Sequence, residues 1–215
     1  GIDYSATAVA LAQERVAPTP WASRCTFLLG AITQQELSGK IFDVVFALDV
    51  FEHLSPNELQ GLLRTILPWL KPNGRLIFHT SPNRHYYSVS YRIVWTLSLL
   101  LSRGQVPQDA RCDYEKEMHI NELTDAELRE TLRQAGFAFE IKRFGLERIM
   151  ETIKQARFWP YVQRSLSRLT CLPSVRSFTN SDFIGMAAQS HDVLDKYYRL
   201  QPGEAIALDH PFFFH

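Results

Sequence analysis

The sequence predicts an α/β fold built on a parallel sheet, and three stretches carry that expectation. Ile41 to Leu48 (I-F-D-V-V-F-A-L) is a short apolar run with adjacent Val44 and Val45, the pattern of a strand buried on both faces. Ser55-Pro56-Asn57-Glu58 is a capping box with proline at the first helical position, and Leu59, Leu62, Leu63, Ile66, Leu67 and Leu70 follow at helical spacing. After the stop Lys71-Pro72-Asn73-Gly74, Arg75 to Ser81 is a second buried strand. A β-α-β unit of this size is parallel and right-handed.

The other elements follow in chain order. Gly1-Ile2-Asp3-Tyr4-Ser5 reads as the end of a strand turning into a helix, with Ser5 as its cap and Ala6, Val9 and Ala10 as its apolar stripe. Pro18 to Ser23 is loop, and Cys25 to Ala31 is a further strand. Tyr86 to Leu101 is aromatic and apolar with Arg92 its one charge, yet its sixteen or so residues, interrupted by serines, fall short of a membrane span. That stretch is an extra packed helix, an apolar lid, or a face resting on a membrane. Thr124-Asp125-Ala126-Glu127 caps another helix, lined by Leu128 and Leu132 and ended by Gly136. Phe137 to Phe144 alternates like a half-buried strand, and Asp182 to Gln189 reads as the last one. Between them, Leu146 to Leu169 is helical in pattern but broken at Pro160, with Arg148, Lys154, Arg157, Arg164 and Arg168 giving a locally basic surface. Residues 1–190 are therefore expected to form one domain with insertions at 84–118 and 146–181, and 191–215 to form a tail.

Composition narrows the function classes. Of 215 residues, 46% are hydrophobic and 21% charged, as in soluble globular proteins. Twenty-three basic residues balance twenty-three acidic ones, so no net charge draws the chain onto nucleic acid. Cys25, Cys112 and Cys171 are odd in number and widely spaced, which points to neither a disulfide framework nor a zinc cluster and fits a reducing, cytoplasmic setting.

A site candidate stands where the central strand ends. Asp49, Glu52 and His53 fall within five positions, and in open α/β sheets ligands occupy the crevice outside the carboxyl ends of the strands.

The wording FDVVFALDVFEHL, a helix, and then LKPNGRLIFHTSPN resembles the second half of the class I S-adenosylmethionine (SAM) dependent methyltransferases, most nearly the branch of ubiquinone-biosynthesis O-methyltransferases. The resemblance runs from Gly1 to about Phe144. It implies a Rossmann-like, mostly parallel sheet closed by an antiparallel C-terminal pair, with the first strand and the glycine-rich SAM loop lying upstream of Gly1; no G-x-G-x-x-G occurs in the chain. It implies Asp3, with Tyr4 beside it, at the cofactor ribose, the Ile32 N–H at the adenine, and Leu48 and Asp49 at the strand end. For chemistry it implies either a divalent cation (Mg²⁺, Mn²⁺ or Zn²⁺) held by Asp49, Glu52, His53 and His119, or His53 or His119 as direct base. The expected acceptor is a small or lipid-linked hydroxyl compound, such as a quinone precursor or glycan intermediate, with peripheral membrane contact through 86–101. The rival readings are an RNA 2′-O-methyltransferase and a non-catalytic protein kept for binding or assembly.

Overall fold

The computed structural model describes residues 1–31, 41–81, 83–93, 95, 96, 99, 107–109, 111–144 and 182–198. They fall into two compact units divided after Ile41.

In the first unit, β1 (Ile2–Asp3) pairs in parallel with β2 (Leu28–Leu29). Helix α1 (Ala6–Val16) starts as expected, with Ser5 Oγ accepting from the Ala8 N–H at 3.3 Å. The strand expected over Cys25 to Ala31 shrinks to two residues, because neighbouring backbone meets β1 over that length alone. Ile32 and the expected insertion 146–181 lie outside the described residues.

The second unit is a four-stranded sheet ordered β3 (Phe42–Leu48), β4 (Leu70–Thr80), β6 (Asp182–Ala188), β5 (Ala138–Phe144). β3 and β4 are parallel, with Leu48 opposite His79, whereas β6 runs antiparallel to both β4 and β5. Between β3 and β4, α2 (Pro56–Ile66) is held by the complete Ser55–Glu58 capping box and buries Leu59, Leu62, Leu63 and Ile66. Leu67–Trp69 is a single tighter turn and Leu70 already belongs to β4, so the helix is shorter than its apolar spacing suggested. Helix α3 (Asp113–Met118) precedes α4 (Asp125–Gln134), which Thr124 and Glu127 cap reciprocally and which packs through Leu128 and Leu132. Gly136, at φ +89°, makes the left-handed turn into β5, a conformation that a residue with a Cβ adopts at a cost.

Two expectations are corrected. β3 is not buried on both faces: Phe46 is 58% and Leu48 42% exposed, and these alternate positions lie on one face of the strand. Nor is 191–198 part of a tail. His191–Tyr198 is a helix, α5, whose Leu194 is buried with Ala138, Met186 and Ala188.

The aromatic stretch after β4 forms a π-helical turn over Tyr86–Tyr91 that buries Tyr86, Tyr87, Ser90 and Tyr91. The Tyr86 and Tyr87 rings meet edge to face at 5.0 Å, the Tyr91 hydroxyl donates to the Pro107 carbonyl, and the Arg111 guanidinium lies over Tyr87 at 5.1 Å. No described helix is long and apolar enough to cross a membrane.

Candidate active site

β3 ends abruptly. Asp49 takes φ +53°, a left-handed conformation uncommon outside glycine and tolerated best by Asn and Asp. The chain then makes one tight turn, Phe51–His53. Phe51 points inward and stacks on Phe78 of β4 at 5.2 Å. Gly185 of β6 makes room for that ring, since a Cβ there would lie 2.3 Å from Phe78 Cζ.

Glu52 is turned under the sheet end, 2% exposed, and its Oε2 accepts from the Thr80 hydroxyl at 2.8 Å. Burial, which penalises the charged form, pushes its pKa up against the lowering effect of its hydrogen bonds.

His119 reaches the same place through the segment that follows α3. The Asn121 N–H donates to the Glu52 carbonyl at 3.1 Å and its side-chain amide to the Phe51 carbonyl at 3.4 Å, stitching that segment to the turn after β3. The His53 and His119 rings lie 5.1 Å apart, edge to face. His53 Nδ1 sits 2.9 Å from the Met118 carbonyl. A carbonyl can only accept, so Nδ1 carries the proton and Nε2 is the nitrogen with the lone pair in the neutral ring. Among the described residues, Glu52, His53 and His119 each offer a ligand atom, all within 4.8 Å of one another. A cation held at about 2.0–2.6 Å spans that separation, and mixed imidazole–carboxylate donors suit Mn²⁺ and Zn²⁺ as well as Mg²⁺.

Asp49 is not the fourth member of that group. Its carboxylate is taken by His79, with Oδ1 2.5 Å from Nδ1, and its N–H donates to the His79 carbonyl at 3.1 Å. This hydrogen bond lowers the Asp49 pKa. Burial alone would depress His79, but the bond to Asp49 and the charges of Asp49, Asp182 and Glu52 outweigh it and leave its pKa raised. Sequence reasoning gave His79 no partner; the signal that could have found it is the β-α-β register, which sets position 79 opposite 48.

In the first unit, Asp3 stands exposed at the carboxyl end of β1, beside the exposed Tyr4. One oxygen of Asp3 accepts the Ser5 N–H at 2.7 Å, while the other accepts no hydrogen bond among the described residues.

Residues 1–78 match a family described as a methyltransferase domain. That stretch contains Asp3, Tyr4, Ile32, Leu48, Asp49, Glu52 and His53 and stops one residue before His79. No curated protein sequence matches the chain. Among solved structures, phosphoethanolamine N-methyltransferase 2 of Haemonchus contortus, in complex with phosphomonomethylethanolamine and S-adenosylhomocysteine, is 19% identical at a TM-score of 0.53, over 87% of this chain and 42% of that one. The O-methyltransferase of a trans-AT PKS multienzyme of Brevibacillus brevis, with S-adenosyl-L-homocysteine, is 13% identical at 0.53, over 89% and 58%. The 4+2 cyclase SpnF is 18% identical at 0.53, over 88% and 65%. The chain spans less than two thirds of each of these proteins. What they share with it is the fold, the Rossmann-like α/β fold of the class I methyltransferases.

Proposed function

We propose that the chain belongs to a SAM-dependent methyltransferase acting on a hydroxyl oxygen of a small or lipid-linked molecule. The observation that carries the reading is the methyltransferase-domain match over residues 1–78, and the neighbours holding S-adenosylhomocysteine support it. Bound SAM supplies an electrophilic methyl group on a sulfonium. The residues fit such a cofactor, since Asp3 offers an exposed carboxylate oxygen at a strand end, where a ribose hydroxyl can donate to it.

Methyl transfer to oxygen needs the acceptor held in line and its proton removed. Glu52, His53 and His119 are the residues that would hold a divalent cation, which would supply a Lewis acid to lower a hydroxyl's pKa. The lone pair of His53 Nε2 is then a ligand, and the carbonyl behind Nδ1 fixes the ring, as partners of metal-bound imidazoles do. Chelation separates this from direct base catalysis by His53. Turnover abolished by EDTA and restored by Mg²⁺, Mn²⁺ or Zn²⁺ supports the cation, whereas full turnover after exhaustive chelation rules the cation out.

Two further elements fit the reading. The edge of β3 left unpaired among the described strands is read as the seat of one more parallel strand. Exposed Ile93 and Leu99 after the buried tyrosines offer apolar surface to a lipid-linked acceptor.

A further inference from the structure

We propose that Asp49 is the orienting partner of His79, and that the pair, rather than His53, takes the proton of the acceptor hydroxyl at the carboxyl ends of β3 and β4. This rests on the methyltransferase reading above.

Four observations converge on it. The parallel register sets Leu48 opposite His79, so Asp49 and His79 stand at adjacent strand ends, where open α/β sheets bind ligands. Asp49 is gripped twice by the same residue, through its N–H to the His79 carbonyl and through its carboxylate to the His79 ring. It also holds a left-handed conformation unfavourable for a residue with a side chain, and such strain is found where a site requires it. Finally, a carboxylate only accepts, so Nδ1 of His79 carries the proton and Nε2 of the neutral ring carries the lone pair.

His53 has a different partner at Nδ1, the Met118 carbonyl. The two histidines therefore divide the work, His53 with the Glu52–His119 group and His79 with Asp49. Charges facing His79 from neighbouring elements, Asp182 on β6 and Glu52 after β3, act in the same sense as Asp49.

In the step, the acceptor's O–H proton passes to Nε2 of His79 and an oxygen lone pair forms the new O–CH₃ bond. The S–CH₃ bond breaks with its electron pair returning to sulfur, which becomes a neutral thioether. The imidazolium is left against the Asp49 carboxylate.

The test uses the uniformly ¹⁵N-labelled full-length protein, with imidazole nitrogens observed by NMR above the histidine titration range and His79→Gln to assign the signal. Asp49→Gly removes the carboxylate and at the same time suits the left-handed backbone, so the variant folds. We expect the wild type to show His79 protonated at Nδ1, and Asp49→Gly to move the proton largely to Nε2. With catechol as a probe acceptor and S-adenosylhomocysteine release as the readout, both variants should lose at least about 100-fold in kcat with KM for catechol within about threefold. An unchanged tautomer in Asp49→Gly overturns the pairing. An unchanged kcat in His79→Gln overturns the role as base. A wild type that releases no S-adenosylhomocysteine with hydroxyl probes counts against the methyltransferase reading, and the tautomer measurement then decides the Asp49–His79 pairing on its own.

Discussion

At the scale of single residues, the strand-end groups differ in what they contribute to folding and to chemistry. Glu52 is buried with one hydroxyl donor, and burial raises its pKa, so its charged form works against stability once pH exceeds the unfolded value of about 4.3. Glu52→Gln keeps an acceptor for Thr80 and removes the charge. We expect it to raise unfolding stability at neutral pH by about 0.5–2 kcal/mol while abolishing turnover, a trade seen where a site is maintained at the expense of stability; urea melts beside activity assays check both halves. The Asp49–His79 pair has the opposite sign structure. Asp49's lowered pKa stabilises the fold above about pH 3.9 and that contribution is lost as pH falls through its folded value; His79's raised pKa stabilises below about 6.5 and is lost as pH rises through its folded value. The stability difference between wild type and Asp49→Gly should therefore be most favourable to wild type between about pH 4 and 6.5 and shrink toward pH 9. A difference flat across that range contradicts the ion pair. For Asp3, the expected effect of Asp3→Ala is a SAM affinity weaker by about 1.5–3 kcal/mol, the size of a lost charge-assisted hydrogen bond, measured by calorimetry on the full-length protein.

At the scale of elements, the packing that positions the turn after β3 passes through β6. Gly185 sits against Phe78 and the Glu140 carbonyl, 2.8 Å from where its Cβ would be, and Phe78 stacks on Phe51, next to Glu52. Gly185→Ala has to displace both the ring and the backbone of β5, so we expect a loss of about 1–3 kcal/mol together with reduced activity, although the position is not at the strand ends. Helix and strand signals written in adjacent residues were legible: the capping boxes at Ser55 and Thr124 and the antiparallel β6 lie where the sequence puts them. What was not legible depends on neighbours distant in sequence. The exposure of one face of β3 is set by what packs over it, and the shortness of β2 by the reach of β1. Helix α5 is held by Leu194 against Met186 and against Ala138, the latter a contact across more than fifty residues that periodicity over eight residues does not disclose. In the site, Glu52, His53 and His119 were readable as a motif with a later histidine, and the structure brings them together. The pairing of Asp49 with His79 needed the register.

At the scale of the whole molecule, β3 pairs along one edge only among the described strands, and an open edge is one that sheets ordinarily cover. The fold by itself leaves the reaction open, since the same architecture occurs in a protein described as a cyclase. The measurement that bears most directly on methyl transfer is mass spectrometry of a cell extract incubated with the full-length protein and SAM carrying a trideuterated methyl group. We expect a small or lipid-extractable product gaining the mass of one CD₃ group in place of hydrogen, formed in step with S-adenosylhomocysteine and missing in His79→Gln. An extract that consumes no SAM and yields no labelled product, from a protein that calorimetry shows to bind SAM, would contradict it.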